Sequence, residues 1–146
     1  MRTEELLEAE WSCAKLVNRF AQLMDTGDYE AVGALFAEDG AFVRAIDPGS
    51  PITGRQNIVA AFRGSPPIRL LHIISNVVVD IASADTASGK SYMTVFTAPD
   101  VRTPLPAALR GPELISEYED SFVRTPEGWR FKVRRGRMIL RANPAP

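Results

Sequence analysis

Residues 18–42 read NRFAQLMDTGDYEAVGALFAEDGAF, a helix end, a tight turn, a second helix and the start of a strand. Gly27 suits a left-handed helix stop, and Asp28 suits the cap of the helix that follows. Upstream, Leu6, Leu7, Cys13, Leu16, Val17, Phe20, Leu23 and Met24 recur at helical spacing, so a helix is expected over 3–25. A second helix is expected over 29–37 and a strand over 40–46. One residue sits badly. Asp25 falls in the last turn of the first helix, where the carbonyl end disfavours a carboxylate by roughly 0.3–1 kcal/mol. On a helical wheel it lies beside Ala14 and Ala21 at the edge of the apolar arc, facing either water or whatever covers the helix.

Working outward, DPGSPITG over 47–54 reads as a loop, and Thr53-Gly54-Arg55-Gln56 as a capping box for a short helix ending at Arg63. From residue 68 the period changes to that of strands. The runs 68–82, 89–98, 113–125 and 129–140 are long and rich in β-formers. Turns are expected at 85–88 and 126–128, a loop with four prolines at 99–112, and a frayed tail at 141–146. Helices followed by antiparallel strands make an α+β domain with helices on one face of a curved sheet. At 146 residues the whole chain, 1–146, reads as one domain.

Strict alternation places Leu71, Ile73, Val77, Val79 and Ile81 on one face of the first long strand, and Ile68, Leu70, His72, Ile74, Asn76 and Val78 on the other. A sheet apolar on both faces needs a second cover, which a homodimer through the outer face supplies.

The charge is nearly balanced, 17 Lys and Arg against 18 Asp and Glu, so no global field favours nucleic acid or an anionic membrane. KVRRGR at 132–137 is short, and alternation splits its charges between two faces, as on a solvated edge strand. The single cysteine, Cys13, has no internal disulfide partner and lies on the apolar side of its helix as a buried thiol. No apolar run is long enough to span a membrane, and the acidic N-terminus is unlike a targeting peptide, so a reducing cytoplasm is expected.

His72 is the only histidine. On an apolar strand face it is either a core residue satisfied by a hydrogen bond or a general base. Paired with Asp25 across the helix–sheet interface, its ring would be oriented and its charged form stabilised, leaving one nitrogen for a substrate proton. Tyr92, Ser116, Tyr118 and Asp120 are further candidates. The last three share one face, where Tyr and Ser suit donation to an oxyanion and Asp120 suits a second acid. With one histidine and one cysteine no zinc site is expected, and no phosphate loop or nucleophile motif is present.

FAQLMDTGDYEAVGALFAEDGAF, GRQNIVAAF, LHIISNVVVDI and YEDSFVRTPEGWRF together resemble a SnoaL-like member of the nuclear-transport-factor-2-like (cystatin-like) superfamily. The resemblance implies a cone-shaped, curved, mixed or antiparallel sheet wrapped around the N-terminal helices, with an internal apolar pocket. The functionally nearest branch is that of scytalone dehydratase and hexachlorocyclohexane dehydrochlorinase. It implies that Asp25 and His72 occupy the positions of a catalytic pair, and that Ser116 matches a site serine of the dehydratases. Met24, Tyr92 and Tyr118 replace a tyrosine, a histidine and an asparagine of that branch, which argues for a different substrate. Asp47 lies near the base position of ketosteroid-isomerase-like members but at different spacing, and reads as a turn former before Pro48.

The expected activity is cofactor-independent proton abstraction and elimination on a small hydrophobic or cyclic molecule by Asp25 and His72, assisted by Tyr92 or Tyr118. Expected pocket walls are Phe20, Met24, Phe42, Leu70, Phe96 and Phe122, with Asn76, Ser116 and Asp120 as polar lining. The alternatives are a non-catalytic dimeric binder of a hydrophobic ligand, and an isomerase using Asp47 or Asp120.

Overall fold

The computed structural model describes residues 1–98 and 100–142. These form three helices, α1 (Thr3–Thr26), α2 (Tyr29–Ala34) and α3 (Arg55–Arg63), and six strands. The strands are β1 (Phe36–Arg44), β2 (Asp47–Thr53), β3 (Arg69–Ile81), β4 (Thr86–Ala98), β5 (Leu114–Thr125) and β6 (Gly128–Arg141). They make one curved, unclosed sheet in the order β2-β1-β6-β5-β4-β3, with β1 and β6 parallel and the other neighbours antiparallel. The α+β reading holds.

Helix α1 lies on the inner face of the sheet and packs chiefly against β3. Its buried stripe is Ala9, Cys13, Leu16, Val17, Phe20, Ala21 and Leu23, the helical spacing seen in the sequence. Phe20 is the centre of the core: its ring meets those of Phe36, Phe42, Phe62 and Phe131 at centroid distances of 5.5–6.3 Å. Gly27 ends α1 at φ 75°, and the Asp28 carboxylate caps α2 by accepting the Ala31 N–H at 3.1 Å, both as expected.

Several boundaries differ for long-range reasons. Helix α2 stops at Ala34, and β1 begins at Phe36 rather than at residue 40, because Phe36 pairs with Phe131 and the Leu35 carbonyl accepts the Phe131 N–H at 2.8 Å. Residues 47–53 form the edge strand β2 and not a loop, and an edge tolerates Pro48 and Pro51 because it needs hydrogen bonds on one side only. The capping box is absent. Gly54 is the N-cap of α3 without a side-chain cap, and Arg55 ties the helix start to the Phe36 carbonyl at 2.7 and 3.0 Å. Strand β4 starts at Thr86, since the Ser83 hydroxyl accepts the N–H groups of Asp85 and Thr86 and tightens the turn before residue 85. Residues 100–112 form no helix or strand, as expected. Arg141 closes β6, while Pro99 and the remainder of the expected frayed tail, 143–146, lie outside the described residues.

Two bulges decide which side chains enter the cone. Between Ser75↔Tyr92 and Val78↔Lys90, β3 advances by one residue more than β4, and Asn76 takes up the excess at φ 53°. Alternation therefore reverses within β3. Leu70, His72 and Ile74 face inward before the bulge and Val77, Val79 and Ile81 after it, whereas Leu71, Ile73 and Val78 are exposed. This corrects the two-face assignment made by strict alternation. The second bulge lies in β6, where Phe131 pairs with Phe122 and Val133 with Ser121, leaving Lys132 over. Inward-facing Trp129 and Phe131 are thus followed by inward-facing Arg134 and Gly136. Strand β6 lies between β1 and β5, so 132–137 is not an edge strand, and its charges do not all reach solvent.

The left-handed backbone at Asn76 suits Asn and Gly and penalises a β-branched side chain. In urea unfolding, Asn76→Gly is expected to stay within a few tenths of a kcal/mol of the parent, and Asn76→Val to lose about 1–3 kcal/mol.

Candidate active site

The end of α1 meets the open edge of the sheet at Asp25. Strand β3 pairs with β4 on one side only, so its outward N–H groups need partners. The Asp25 carboxylate supplies one: the His72 backbone N–H donates to both of its oxygens at 3.1 Å. The same carboxylate holds the ring, with His72 Nδ1 2.5 Å from Asp25 Oδ1. Three contacts thus replace what the helix end withholds. They leave Nε2 as the ring position open to a proton. The His72 side chain is 9% exposed and that of Asp25 18%, so the pair is sheltered but not sealed. Met24, next to Asp25, and Leu70, on the His72 face of β3, pack at the rim of the core beside it.

Further along the inner face the register lines up Ser116, Tyr118, Asp120 and Phe122 of β5, all buried. Tyr118 lies over Gly136, where a Cβ would come within 2.9 Å of its ring. Only glycine at 136 lets the ring lie flat there. The Arg134 guanidinium in turn stacks on that ring, 4.3 Å from its centroid, and on Phe20 and Phe131 at 4.6 and 4.9 Å. Arg134 Nη1 donates to Asp120 Oδ2 at 2.6 Å, and neither side chain of the pair is exposed. Burial pushes the Asp120 carboxyl up to about 6 even though Arg134 pulls it down. Desolvation likewise raises Tyr118, with Arg134 opposing, and pushes the Cys13 thiol up to about 12, so both keep their protons.

The structure separates the sequence-derived candidates into two sets. Asp25, His72, Ser116, Tyr118, Asp120, Phe20, Met24, Phe42, Leu70 and Phe122 face or flank the interior. Phe20, Phe42 and Phe122 there belong to the packed aromatic core. Three candidates do not face it. Tyr92 is 38% exposed and pairs with Ser75 on the outer face; Phe96 pairs with exposed Leu71 on that same face; and the bulge turns Asn76 outward. Asn76 and Tyr92 line a hollow of about 540 Å³ together with Val78, Lys90, Ser91 and Asp120. A second, of about 310 Å³, lies at Glu38, Arg55, Gln56 and Asn57, and neither includes the Asp25–His72 pair. Asp47 is the first residue of β2 rather than a turn residue, pairs with Arg44 across the β1–β2 hairpin, and forms a partly exposed ion pair with it at 3.5 Å. The residues that sequence reasoning missed are Arg134 and Ser91. Alternation places Arg134 outward, and only the bulge at Lys132 turns it in.

No helix among the described residues is long and apolar enough to cross a membrane, and no three His, Cys, Asp or Glu residues among them gather as a metal cluster. The SnoaL-like domain profile matches residues 5–135. The chain belongs to the SnoaL-like domain family. No curated protein sequence matches it. Among solved structures, this SnoaL-like domain is similar to an NTF2-like protein with a cystatin-like fold from Novosphingobium aromaticivorans, at 26% identity over 96% of this chain and 86% of that one, with a TM-score of 0.75. A proposed scytalone dehydratase from the same organism shares the fold at TM-score 0.81 and 22% identity, over 99% and 93% of the two chains. A Catenulispora acidiphila protein solved with S-DNPA matches at TM-score 0.69 and 24% identity, over 91% and 93%.

The Asp120–Arg134 pair offers a stability test. Arg134→Met strands a buried carboxylate and is expected to cost about 3–5 kcal/mol, while Asp120→Leu/Arg134→Met recovers most of that loss. Asp120 has a folded value near 6 against an ordinary 3.8, so its contribution is fully present below 3.8 and is lost as pH rises through about 6. The parent should therefore gain on the double variant as the pH falls from about 7 to about 4, as read by urea midpoints.

Proposed function

We propose that this SnoaL-like domain is a cofactor-independent lyase of the dehydratase type, acting on a small, hydrophobic, cyclic molecule. The observation that carries the reading is the Asp25 carboxylate bound at once to the ring and the backbone amide of His72. A carboxylate in that place fixes the ring's orientation and stabilises the imidazolium. His72 Nε2 takes a proton from a carbon next to an electron-withdrawing group. The C–H electron pair becomes the new C=C bond as the C–O bond to a hydroxyl leaving group breaks. The imidazolium then returns its proton to the departing hydroxide, and water leaves. The step balances without metal or redox cofactor. Tyr118, a buried phenol on the inner face, is the tyrosine placed to hydrogen-bond within the cone; Tyr92 is not.

The Catenulispora acidiphila protein of this fold was solved in complex with S-DNPA, which supports reading this fold as able to hold a ligand. The test is a panel of small cyclic hydroxy-ketones assayed for dehydration by absorbance of the conjugated product. His72→Ala is expected to lower kcat by 10²–10⁴-fold, with Asp25→Asn losing activity while leaving the protein folded. Binding without turnover in the parent would favour the non-catalytic binder instead.

We also propose a homodimer through the outer sheet face. Ile73, Thr94, Ile115 and Leu140 follow one another across four strands, and Leu71, Ile73, Val78 and Leu140 are each about half exposed or more. A row of that kind on a monomer surface is a cost that a second copy removes. Sedimentation velocity should give a dimer for the parent and a monomer, still folded, for Leu71→Glu/Ile73→Glu.

A further inference from the structure

The guanidinium of Arg134 has one edge in use and one edge idle. Nη1 is taken by Asp120, but Nε and Nη2, the two adjacent donors of the other edge, are buried and have no partner among the described residues. Asp120 Oδ1 and the Ser91 hydroxyl are buried without a partner in the same way. Ser91 pairs with Tyr118 across the β4–β5 ladder, two residues from Asp120 on the same inner face, so these groups share one end of the cone. An unused buried donor is costly, and a planar fork packed against the Tyr118, Phe20 and Phe131 rings is aimed by its packing rather than free to search.

We propose that the Nε/Nη2 edge of Arg134 is the binding site for a carbonyl oxygen of the ligand. The charge balance selects the chemistry. Asp120 already neutralises Arg134 at 2.6 Å, so the free edge offers hydrogen bonds without net positive charge. A carboxylate brought there would add an uncompensated charge next to Asp120, at high cost in so dry a place. A neutral carbonyl accepts both N–H groups and brings no charge. Asp120 Oδ1 and the Ser91 hydroxyl lie on the same wall for a neighbouring hydroxyl or enol to meet.

The position agrees with the lyase reading, on which this inference rests only in taking the cone interior as the ligand site. Helix α1 spans both places: Phe20 stacks on the guanidinium and Asp25 holds His72. Five residues of helix are about 7.5 Å of rise, the length of a fused two-ring skeleton. A ketone at one end, conjugated through the rings to the carbon that loses its proton at the other, would carry the developing negative charge onto the oxygen held by Arg134. Because the edge is fully buried, entry requires the aromatic rings around it to give way, and the ligand then replaces a cost already carried by the empty protein.

The experiment uses 1-tetralone labelled with ¹³C at the carbonyl, with tetralin and tetralin-1-carboxylate as the partners lacking the carbonyl or adding a charge. Calorimetry on the parent should show 1-tetralone binding about tenfold or more tighter than either, as expected for a hydrogen bond to a charged group. The bound ¹³C resonance should move downfield. Arg134→Lys keeps the ion pair and removes the fork. Asp120→Leu/Arg134→Met removes both charges and guards against a misfolded single variant. In each, with folding verified by circular dichroism, the tenfold preference and the downfield shift should vanish. His72→Ala should retain both, which separates this inference from the dyad. The inference is overturned if 1-tetralone does not bind the parent, if tetralin binds it equally well, or if the shift survives in the folded double variant.

Discussion

The apolar stripe of α1 has to be buried, and the inner face of the sheet is where that happens. Phe20 anchors it among Phe36, Phe42, Phe62 and Phe131, residues drawn from one other helix, α3, and two strands, β1 and β6. Burying one such ring stabilises by about 1.5–3 kcal/mol, so the stripe as a whole sets where the helix lies. Once the helix axis is set, its last turn arrives at the open edge of β3. A carboxylate there meets an unpaired strand amide and a histidine ring together. The Asp25–His72 contact is thus a consequence of how the core packs, and it also protects an edge that would otherwise present free N–H groups.

The opposite end of the cone is held by a different compromise. An arginine and an aspartate sit in the driest part of the protein, bonded to each other at 2.6 Å and walled by aromatic rings. Buried pairs of this kind are weak contributors to stability, because desolvation offsets most of the attraction. Apolar residues of similar volume would fill the same space at little loss. That a fork with an idle edge is found there is easier to understand as recognition than as structure. Glycine at 136 fits the same view, since it gives up a side chain so that Tyr118 can lie under the guanidinium.

Membership of the SnoaL-like family carries the fold and leaves the chemistry to the site. The solved structures it resembles share 22–26% of its residues and superpose along most of its length. What separates one such domain from another is the handful of polar side chains that the cone admits. Here these include His72 held by Asp25, the phenol of Tyr118, and the Asp120–Arg134 pair with Ser91.

Much of this was legible in the string of residues. The 3.6-residue stripe of α1, the Gly27-Asp28 stop and cap, and the change of period at residue 68 are local signals, and they determined the helices, the long strands and the α+β class. Asp25 stood out because it opposes the helix dipole, and His72 because it is alone on an apolar strand. Alternation also put Ser116, Tyr118 and Asp120 on one face, since β5 keeps its register between them. What only the tertiary structure decided were the sides. A bulge adds one residue and inverts every later side chain, and its place shows only in the pairing with the partner strand, since strict alternation along one strand does not reveal it. Asn76 turned outward and Arg134 inward for that reason. Tyr92 and Phe96 face outward because only the pairing of β4 with β3 and β5 says which of its two faces meets α1, and no local signal carries that choice.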